Sequence, residues 1–494
     1  MTVVRWRWKI LKESLKALGY GALFTFFAAI ALAVYILDSR PDLSFWHTEV
    51  LPQEFDQNSE ITTLAQYFAL ERALFAALDA RTAQASQRDP ANKINRYDDR
   101  SLASPKRWPQ DWNRSFEVTP DNPDFGIVLL HGLSDSPYSL RDVHLAFYQH
   151  NAYQLGLRLP GHGTMPSALT QTSWQDMYAA TELAMRHAKA KLGDKPLYVV
   201  GYSTGGSLII HYILQQLKQT GTTDVTGLAM ISPAIATSKV AMAAQWQERL
   251  GSWLGLEKLA WNSISIEYNP YKYGSFAINA GNQIYQLSLA NQALLANIKQ
   301  QQPELLADFP ATLSFQSVAD STILPSAVLS QFYDYLPAPN TGQHELVLFD
   351  INRYGKQQVL LKREPLKSFE RYLNRVGNAP HLAIHLITNI HSDSREMALK
   401  SYPDTSAQTP LLLPYSWPST VYSLSHVALS FAYNDPLYGA LPSVEQQSIH
   451  IGSMALSGEI GLIHIGSASM LRQKWNPAQP WLVNYLVNRL QPAI

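Results

Sequence analysis

Short apolar runs that alternate with helical patterns dominate the chain beyond residue 125. Apolar runs with the length of buried strands lie at 126–130, 153–159, 197–200, 228–231, 313–318, 346–349, 382–388 and 420–424. Helical patterns lie between some of them, at 174–191 and 207–218. Such alternation is typical of parallel strands covered by helices on both faces. The sequence therefore predicts an α/β domain with a mostly parallel central sheet.

Two further regions stand out from this alternation. The eighty or so residues between 231 and 313 contain no clear strand, which is too long for a plain connection. We expect a helical cap insertion there, at about 236–305. Nearer the amino terminus, apolar residues between 61 and 78 recur close to every 3.6 positions, which predicts a helix that packs on the main domain. The polar stretch 81–109 is typical of a loop or linker.

The first forty residues have the pattern of a membrane segment. Residues 19–37 carry no charge, and five basic residues against one acidic residue precede them. A helix over 19–37 would nearly span a bilayer core of about 30 Å, and basic flanks stay cytoplasmic. We expect a membrane anchor with the rest of the chain on the non-cytoplasmic side. A signal peptide cleaved near Ala31-Leu32-Ala33, leaving a secreted protein, and a buried helix are the alternatives.

These patterns divide the chain into an anchor at 1–40, a helical extension with a linker at 41–120, and one α/β domain that includes the cap at 121–494. Composition then narrows the chemistry. The 39 basic and 39 acidic residues cancel, so no charged field favours nucleic acid as a partner. The absence of cysteine excludes thiolate catalysis and thiolate zinc sites. The histidines show no zinc-binding spacing, so we expect neither a metal nor a cofactor.

The segment GYSTG at 201–205 has the pattern G-x-S-x-G. It follows a predicted strand and precedes a predicted helix, which is the context of a nucleophile elbow. The sharp turn holds the central residue in a strained conformation, and the flanking glycines avoid clashes. We expect Ser203 to be a nucleophile. The alternative is a glycine-rich helix start that binds an anion.

An oxyanion that develops during acyl transfer needs two preorganised N–H donors. One is expected from Thr204, the residue after the nucleophile. The other is expected from Leu133, in the loop His131-Gly132-Leu133 that closes an earlier strand. Gly132 allows the backbone to approach closely, and His131 is expected to orient that loop. We expect His131, Gly132 and Tyr202 to border the substrate.

A serine nucleophile needs a base and an orienting acid, in the chain order serine, acid, histidine on this architecture. Asp320 follows the apolar run 313–318 and is the expected acid, with Asp350 and Asp308 as alternatives. His426 follows a late apolar run and is the expected base. The alternative base is His391, which also follows a predicted strand.

These motifs together resemble the α/β-hydrolase superfamily, in particular bacterial carboxylesterases and serine hydrolases of the monoacylglycerol-lipase or lysophospholipase type. The matching stretches are LLHGLSDSPYSLRD, LRLPGHG, VVGYSTGG, the Asp320 loop and SLSHVALSF, which lie within 125–431. The resemblance implies a Ser203–His426–Asp320 triad and an acyl-serine intermediate. Two features depart from the simplest pattern: Asp320 and His426 lie 106 positions apart, and 68 residues follow His426.

Aromatic residues in the cap bear on the substrate. Tyr268, Tyr271, Tyr273 and Phe276 are expected to line an apolar cleft, or else to form the core of the cap itself. We expect hydrolysis of a small ester or lipid by a carboxylesterase or lipase. Another acyl-serine enzyme (peptidase, amidase, thioesterase or acyltransferase) is the alternative, and a non-catalytic, membrane-tethered binding module is a third. A peptidase that captures a free amino terminus would need an acidic cluster, but the carboxylates of this region are scattered, at Glu248, Glu257 and Glu267.

Overall fold

The computed structural model describes residues 2–49, 51, 54–86, 94–236, 256–354, 364–374, 381–402, 409–419, 423–442, 448–452 and 474–491. Its helices are α1 (Thr2–Asp38), α2 (Phe45–Thr48), α3 (Leu64–Ser86), α4 (Arg141–Phe147), α5 (Trp174–Leu192), α6 (Thr204–Thr220), α7 (Ile278–Gln301), α8 (Ala327–Ser330), α9 (Glu370–Leu373) and α10 (Gln479–Leu490). Its strands are β1 (Phe116–Val118), β2 (Phe125–Leu130), β3 (Ala152–Leu157), β4 (Leu197–Tyr202), β5 (Gly227–Ile231), β6 (Trp261–Ser263), β7 (Phe276–Ala277), β8 (Thr312–Ser317), β9 (His344–Phe349), β10 (Leu382–Asn389), β11 (Glu396–Tyr402) and β12 (Leu411–Ser416).

Ten of these strands form one sheet in the order β1-β3-β2-β4-β5-β8-β9-β10-β11-β12. The pairs from β3 through β10 are parallel, whereas β1 pairs antiparallel with β3, and β11 and β12 add antiparallel strands at the other edge. Strands β6 and β7 pair separately in the cap region. The prediction of a mostly parallel sheet is confirmed.

The sheet is buried on both faces, which explains the continuous apolar runs. In β2, Val128 and Leu130 belong to a core shared with α5 and α6, whereas Ile127 and Leu129 belong to a core shared with α4 and α10. Alternate side chains of a strand point to opposite faces, so both sets are removed from water. Each such side chain contributes about 1.5–3 kcal/mol on full burial. The carboxyl ends of the parallel strands consequently form a rigid edge.

Most predicted elements are present, with boundaries that shift by a few residues. The run at 420–424 is an exception, because 420–422 lie outside the described residues. Strands β9 to β12 all lie between Asp320 and His426, which explains the unusual spacing of those two residues, and β11 and β12 are the two that the sequence did not predict. They escaped prediction because β11 mixes apolar and charged residues, and β12 is a largely exposed edge strand that contains Pro414.

The cap region contains α7, as predicted for a helical insertion, and the part at 237–255 lies outside the described residues. At the amino terminus, α1 includes the predicted anchor. Among the helices that the structure describes, none combines the length and the apolar character needed to cross a membrane, so the predicted anchor is not supported. The placement of the chain outside the cytoplasm stays a prediction.

The amino-terminal extension is joined to the main domain by a buried ionic cluster. The fully buried side chain of Arg158, just after β3, donates from Nε to Glu71 (3.1 Å) and from Nη2 to Glu54 (3.0 Å). Tyr67 on α3 donates its hydroxyl to the carbonyl oxygen of Arg158 at 2.7 Å. Tyr67 and Phe55 also belong to the main core. The extension therefore packs on the α/β domain, as the helical pattern predicted.

Replacing Arg158 with methionine should destabilise the fold strongly. The substitution removes the cation from two carboxylates, and breaking a buried pair in this way costs about 3–5 kcal/mol. We expect a lower denaturant midpoint in equilibrium unfolding. The control Arg100→Met removes an exposed partner of Asp98 and should cost less than about 1 kcal/mol. Equal midpoints for Arg158→Met and the unmodified protein would show that the cluster contributes nothing to stability.

Candidate active site

Ser203 stands at the turn between β4 and α6, with φ 51° and ψ −110°. A positive φ is uncommon for a residue with a side chain and stores strain. The turn is fixed by its backbone, since Ser203 N donates to the carbonyl oxygen of Ile231 (2.9 Å) and its own carbonyl oxygen accepts from Ala234 N (3.1 Å). This is the geometry predicted for a nucleophile elbow.

The flanking glycines are required by close approach of the backbone. A Cβ at Gly201 would collide with the backbone of Gly206, and one at Gly205 would collide with the carbonyl group of Leu130 on the neighbouring strand. The start of α6 can therefore lie directly against the sheet. The first N–H groups of a helix have no partner within the helix, so Thr204 N is placed to bind an anion beside Ser203.

The structure brings Ser203, His426 and Asp320 together in a hydrogen-bonded chain. His426 Nε2 lies 3.0 Å from Ser203 Oγ, and His426 Nδ1 lies 2.6 Å from Asp320 Oδ2. A carboxylate can only accept, so Nδ1 carries the proton and Nε2 is free to accept from the serine hydroxyl. All three residues are buried, with 7–8% of their surface exposed.

Asp320 is held in its ionised form by its surroundings. Burial by itself raises its pKa, but the neighbouring His426 and the hydrogen bonds from His426, Thr322 N and Ile323 N together place the pKa below its ordinary value. Gln316 Nε2 also donates to Oδ2, at 3.2 Å. Asp320 therefore orients the imidazole as a carboxylate at neutral pH.

The loop after β2 closes over the serine. A Cβ at Gly132 would lie 3.1 Å from Ser203 Cβ and 2.9 Å from the ring of Tyr202, so only glycine permits this approach. His131 Nδ1 donates to the carbonyl oxygen of Gly132 (2.8 Å), and Nε2 accepts from Leu159 N (3.0 Å). Burial lowers the pKa of His131 well below its ordinary value, so the ring is neutral. His131 orients the loop and, like Gly132, is not among the described residues that line the cavity beside Ser203, so the expectation that these two border the substrate is wrong.

A cavity of about 510 Å³ opens at Ser203 and His426, within the size range of small-molecule sites. Its described lining comprises Leu133, Ser134, Tyr202, Ser203, Thr204, Ala234, Asn262, Lys272, Phe276, Ile278, Gly281, Asn282, Ile284, Thr322, Ile323, His426 and Val427. Both expected oxyanion donors, Leu133 and Thr204, are in this set. Most of the remaining wall is apolar, which suits an acyl chain.

The cap aromatics require a correction. Phe276 lines the cavity, but Tyr268, Tyr271 and Tyr273 are not among the described lining residues. Tyr271 stacks on Tyr138 with ring centroids 4.5 Å apart, and Tyr273 donates its hydroxyl to the carbonyl oxygen of Gly161 at 3.1 Å. Tyr268 packs against the same cluster as Tyr271. These rings form a core between the cap and the main domain, and the hydroxyl groups of Tyr271 and Tyr273 donate there to the backbone carbonyl oxygens of Gln110 and Gly161.

The alternative acids and base lie elsewhere. Asp350 is paired with Arg353 at 2.8 Å and accepts from Thr388, and Asp308 accepts from Asn340 on the surface. His391 is exposed in the turn after β10. In the described part of the chain, none of the three hydrogen-bonds to Ser203 or His426.

Sequence reasoning missed a contact between the cap and the loop at 131–135 after β2, the oxyanion loop, which carries the expected oxyanion donor Leu133. Lys272 Nζ donates to the carbonyl oxygen of Leu133 (3.3 Å) and to Asp135 Oδ2 (3.4 Å), and Tyr273 N donates to the carbonyl oxygen of Ser134 (2.8 Å). The cap therefore fixes three successive loop residues. No local pattern could have indicated this, since the partners lie nearly 140 positions apart.

The strand order, the parallel pairing and the strained serine turn define the α/β-hydrolase fold. Residues 121–300 match a family model described as serine aminopeptidase, S33. A thermostable monoacylglycerol lipase from Bacillus sp. (strain H-257) is 29% identical over 122 residues, which is 24% of this chain and 45% of the relative. The chain thus spans less than half the length of this curated relative.

Solved structures with similar folds include a metagenome-derived lipolytic enzyme (18% identity, TM-score 0.37, covering 52% of this chain and 98% of that one). A second is the monoacylglycerol lipase of Paleococcus ferrophilus (16% identity, TM-score 0.35, covering 48% of this chain and 89% of that one). The resemblance to α/β-hydrolase serine hydrolases of the monoacylglycerol-lipase and esterase type is confirmed by the family match and the curated relative.

Gly205→Ala should destabilise the protein, because the added Cβ meets a backbone carbonyl group that cannot move aside. We expect a loss of about 1–3 kcal/mol, as for overpacked cores, measured by chemical unfolding. Gly206→Ala is the matched control on the same helical turn, since its Cβ would lie 3.1 Å from the Pro233 side chain. If the two variants unfold at the same midpoint, the close approach of α6 to β2 does not constrain position 205.

Proposed function

We propose that the protein is a serine hydrolase that cleaves carboxylic esters of small molecules or lipids, in the manner of a carboxylesterase or lipase. The observation that carries this proposal is the hydrogen-bonded chain from Ser203 through His426 to Asp320, at 3.0 and 2.6 Å. This chain opens into an apolar cavity of suitable size. The match to a monoacylglycerol lipase supports esters as the substrate class.

The geometry supports a two-step acyl transfer. His426 Nε2 takes the proton of Ser203 Oγ as the oxygen attacks the ester carbonyl carbon, and the N–H groups of Leu133 and Thr204 hold the resulting oxyanion. Collapse of the tetrahedral intermediate breaks the bond to the alcohol oxygen, to which His426 returns the proton. Water then attacks the acyl-serine, with His426 again as the base, and releases the acid and Ser203. Asp320 stabilises the imidazolium in both steps.

The described lining favours an ester over a peptide with a free amino terminus. A terminal ammonium group would need a carboxylate in the cavity, and among the described lining residues there is none. Glu267 is fully buried and accepts from the N–H groups of Gly274 and Ser275, and Glu257 lies on an exposed turn. Glu248 lies outside the described residues. An aminopeptidase activity therefore has no support from the described wall.

Ser203→Ala should abolish turnover of nitrophenyl esters. Removal of a serine nucleophile lowers kcat on the order of 10⁶-fold, and the small change leaves the turn intact. We expect a fluorophosphonate probe to label the unmodified protein and to leave Ser203→Ala unlabelled. A series of increasing acyl length would then define the chain preference. Undiminished ester hydrolysis by Ser203→Ala would sink the proposal, and an unlabelled parent protein would favour a binding module.

His426→Ala and His391→Ala provide a matched pair for the base. We expect His426→Ala to lose activity to an extent similar to Ser203→Ala, because the triad residues act as a unit. His391→Ala should hydrolyse the same nitrophenyl ester at the parental rate, since this exposed ring lies outside the site. Steady-state kcat is the quantity to compare. Full activity in His426→Ala would refute the assignment.

A further inference from the structure

One cation lies in the wall of the cavity. Among the lysine, arginine, aspartate and glutamate side chains of the described residues, Lys272 alone lines this cavity. Its side chain is 26% exposed, so part of it faces the open space. An ammonium group is strongly hydrated, and placing it in a largely apolar wall is costly unless it binds something there.

The protein satisfies this ammonium group only in part. Lys272 Nζ has three N–H donors, and its hydrogen bonds reach the carbonyl oxygen of Leu133 at 3.3 Å and Asp135 Oδ2 at 3.4 Å. Both distances exceed the 2.7–2.9 Å that is typical of charge-assisted bonds, by about half an ångström. Asp135 is itself buried, and Asp135 Oδ1 accepts from Ser136 N at 2.9 Å. The lysine therefore retains donor capacity on the side of the cavity.

The rest of the cavity has a distinct apolar part. Ala234, Ile284 and Ile323 form a contiguous buried cluster, with Leu133 packed against it. All four residues line the cavity. The wall beside the serine thus offers an apolar surface for a hydrocarbon chain and, at Lys272, a cationic group adjacent to the oxyanion loop.

We propose that Lys272 is a specificity-determining residue that binds an anionic group, such as a phosphate, on an amphiphilic ester whose acyl chain lies against Ala234, Ile284 and Ile323. This inference rests on the proposed function, and it narrows the substrate class to esters that carry a negative charge. A neutral ester would offer the remaining donor of Lys272 only uncharged acceptors, whose hydrogen bonds are weaker. A phosphate oxygen would supply a charge-assisted hydrogen bond.

Ligand binding tests this without requiring turnover. Octyl phosphate and 1-octylglycerol ether share a hydrocarbon chain and differ in charge, and neither contains a carboxylic ester to cleave. Isothermal titration should show tighter binding of octyl phosphate to the parent protein. In Lys272→Met the ratio of the phosphate Kd to the ether Kd should rise about tenfold, since a hydrogen bond to a charged group contributes at least that factor. Lys272→Arg should restore most of the preference.

Two controls distinguish the loss of the Lys272 charge from a folding defect in the variant. Lys299→Met removes a surface cation near the carboxyl end of α7 that donates to the carbonyl oxygen of Asp334, and it should leave the ratio unchanged. In the parent protein, raising the ionic strength should weaken octyl phosphate binding and leave the neutral ether unaffected. This second measurement needs no variant, so a folding defect in Lys272→Met would not remove the test.

Several results would overturn the inference. Equal changes in both Kd values for Lys272→Met would show that the lysine only holds the loop at Leu133 and Asp135. The inference also fails if the parent protein shows no preference for the phosphate, or no dependence of that preference on salt. Failure of the proposed function would give a different result. The protein would still bind octyl phosphate through Lys272, but ester turnover would not depend on Ser203. The anion site would then stand, and the hydrolase assignment would fall.

Discussion

The strained turn at Ser203 is the constraint on which the site depends. Its positive φ turns the chain sharply from β4 into α6, and this is possible only because α6 can touch the sheet at Gly205. The same turn exposes Thr204 N at the helix start and aims Ser203 Oγ along the carboxyl edge of the sheet. Asp320, after β8, and Leu133, after β2, also lie on that edge, and His426 meets them there. The burial of the strands on both faces of the sheet thus stabilises the strained backbone conformation of Ser203.

The long stretch of chain between Asp320 and His426 lies away from the turn at Ser203. Strands β9 to β12 extend the sheet on one side. The inserted residues therefore make the sheet wider, and the side chains of Asp320 and His426 still meet. The chain then returns to the site, where Ser317 Oγ donates to the carbonyl oxygen of Leu424 (3.0 Å) and Ser232 Oγ to that of His426 (3.4 Å). Serines at the ends of β8 and β5 therefore fix the backbone that carries the histidine, whatever the length of the insertion.

Local sequence patterns succeeded where one element determines the outcome. The buried strands, the elbow and the position of Asp320 after β8 follow from periodicity and chain order, whereas the strand expected before His426 falls on 420–422, outside the described residues. Patterns failed where the outcome depends on distant partners. Tyr271 and Tyr273 have the composition of pocket residues, yet their hydroxyl groups find acceptors at the backbone of residues 110 and 161, which no spacing reveals. The role of Lys272 was not predicted for the same reason. The antiparallel edge strands β11 and β12 lack a strong pattern because many of their side chains are exposed or only partly buried.

Under the proposed function, the contact between the cap and the oxyanion loop would link substrate selection to catalysis. Lys272 and Tyr273 hold the residues that include Leu133, so the segment that would sense the charge of a substrate also positions a donor for the oxyanion. A lone cation beside that donor would stabilise the oxyanion of any ester and blunt discrimination. The buried carboxylate of Asp135, 3.4 Å from Lys272 Nζ, limits this because it offsets part of the lysine charge in the unliganded cavity. A chain with no net charge overall can in this way confine its electrostatic selectivity to one position.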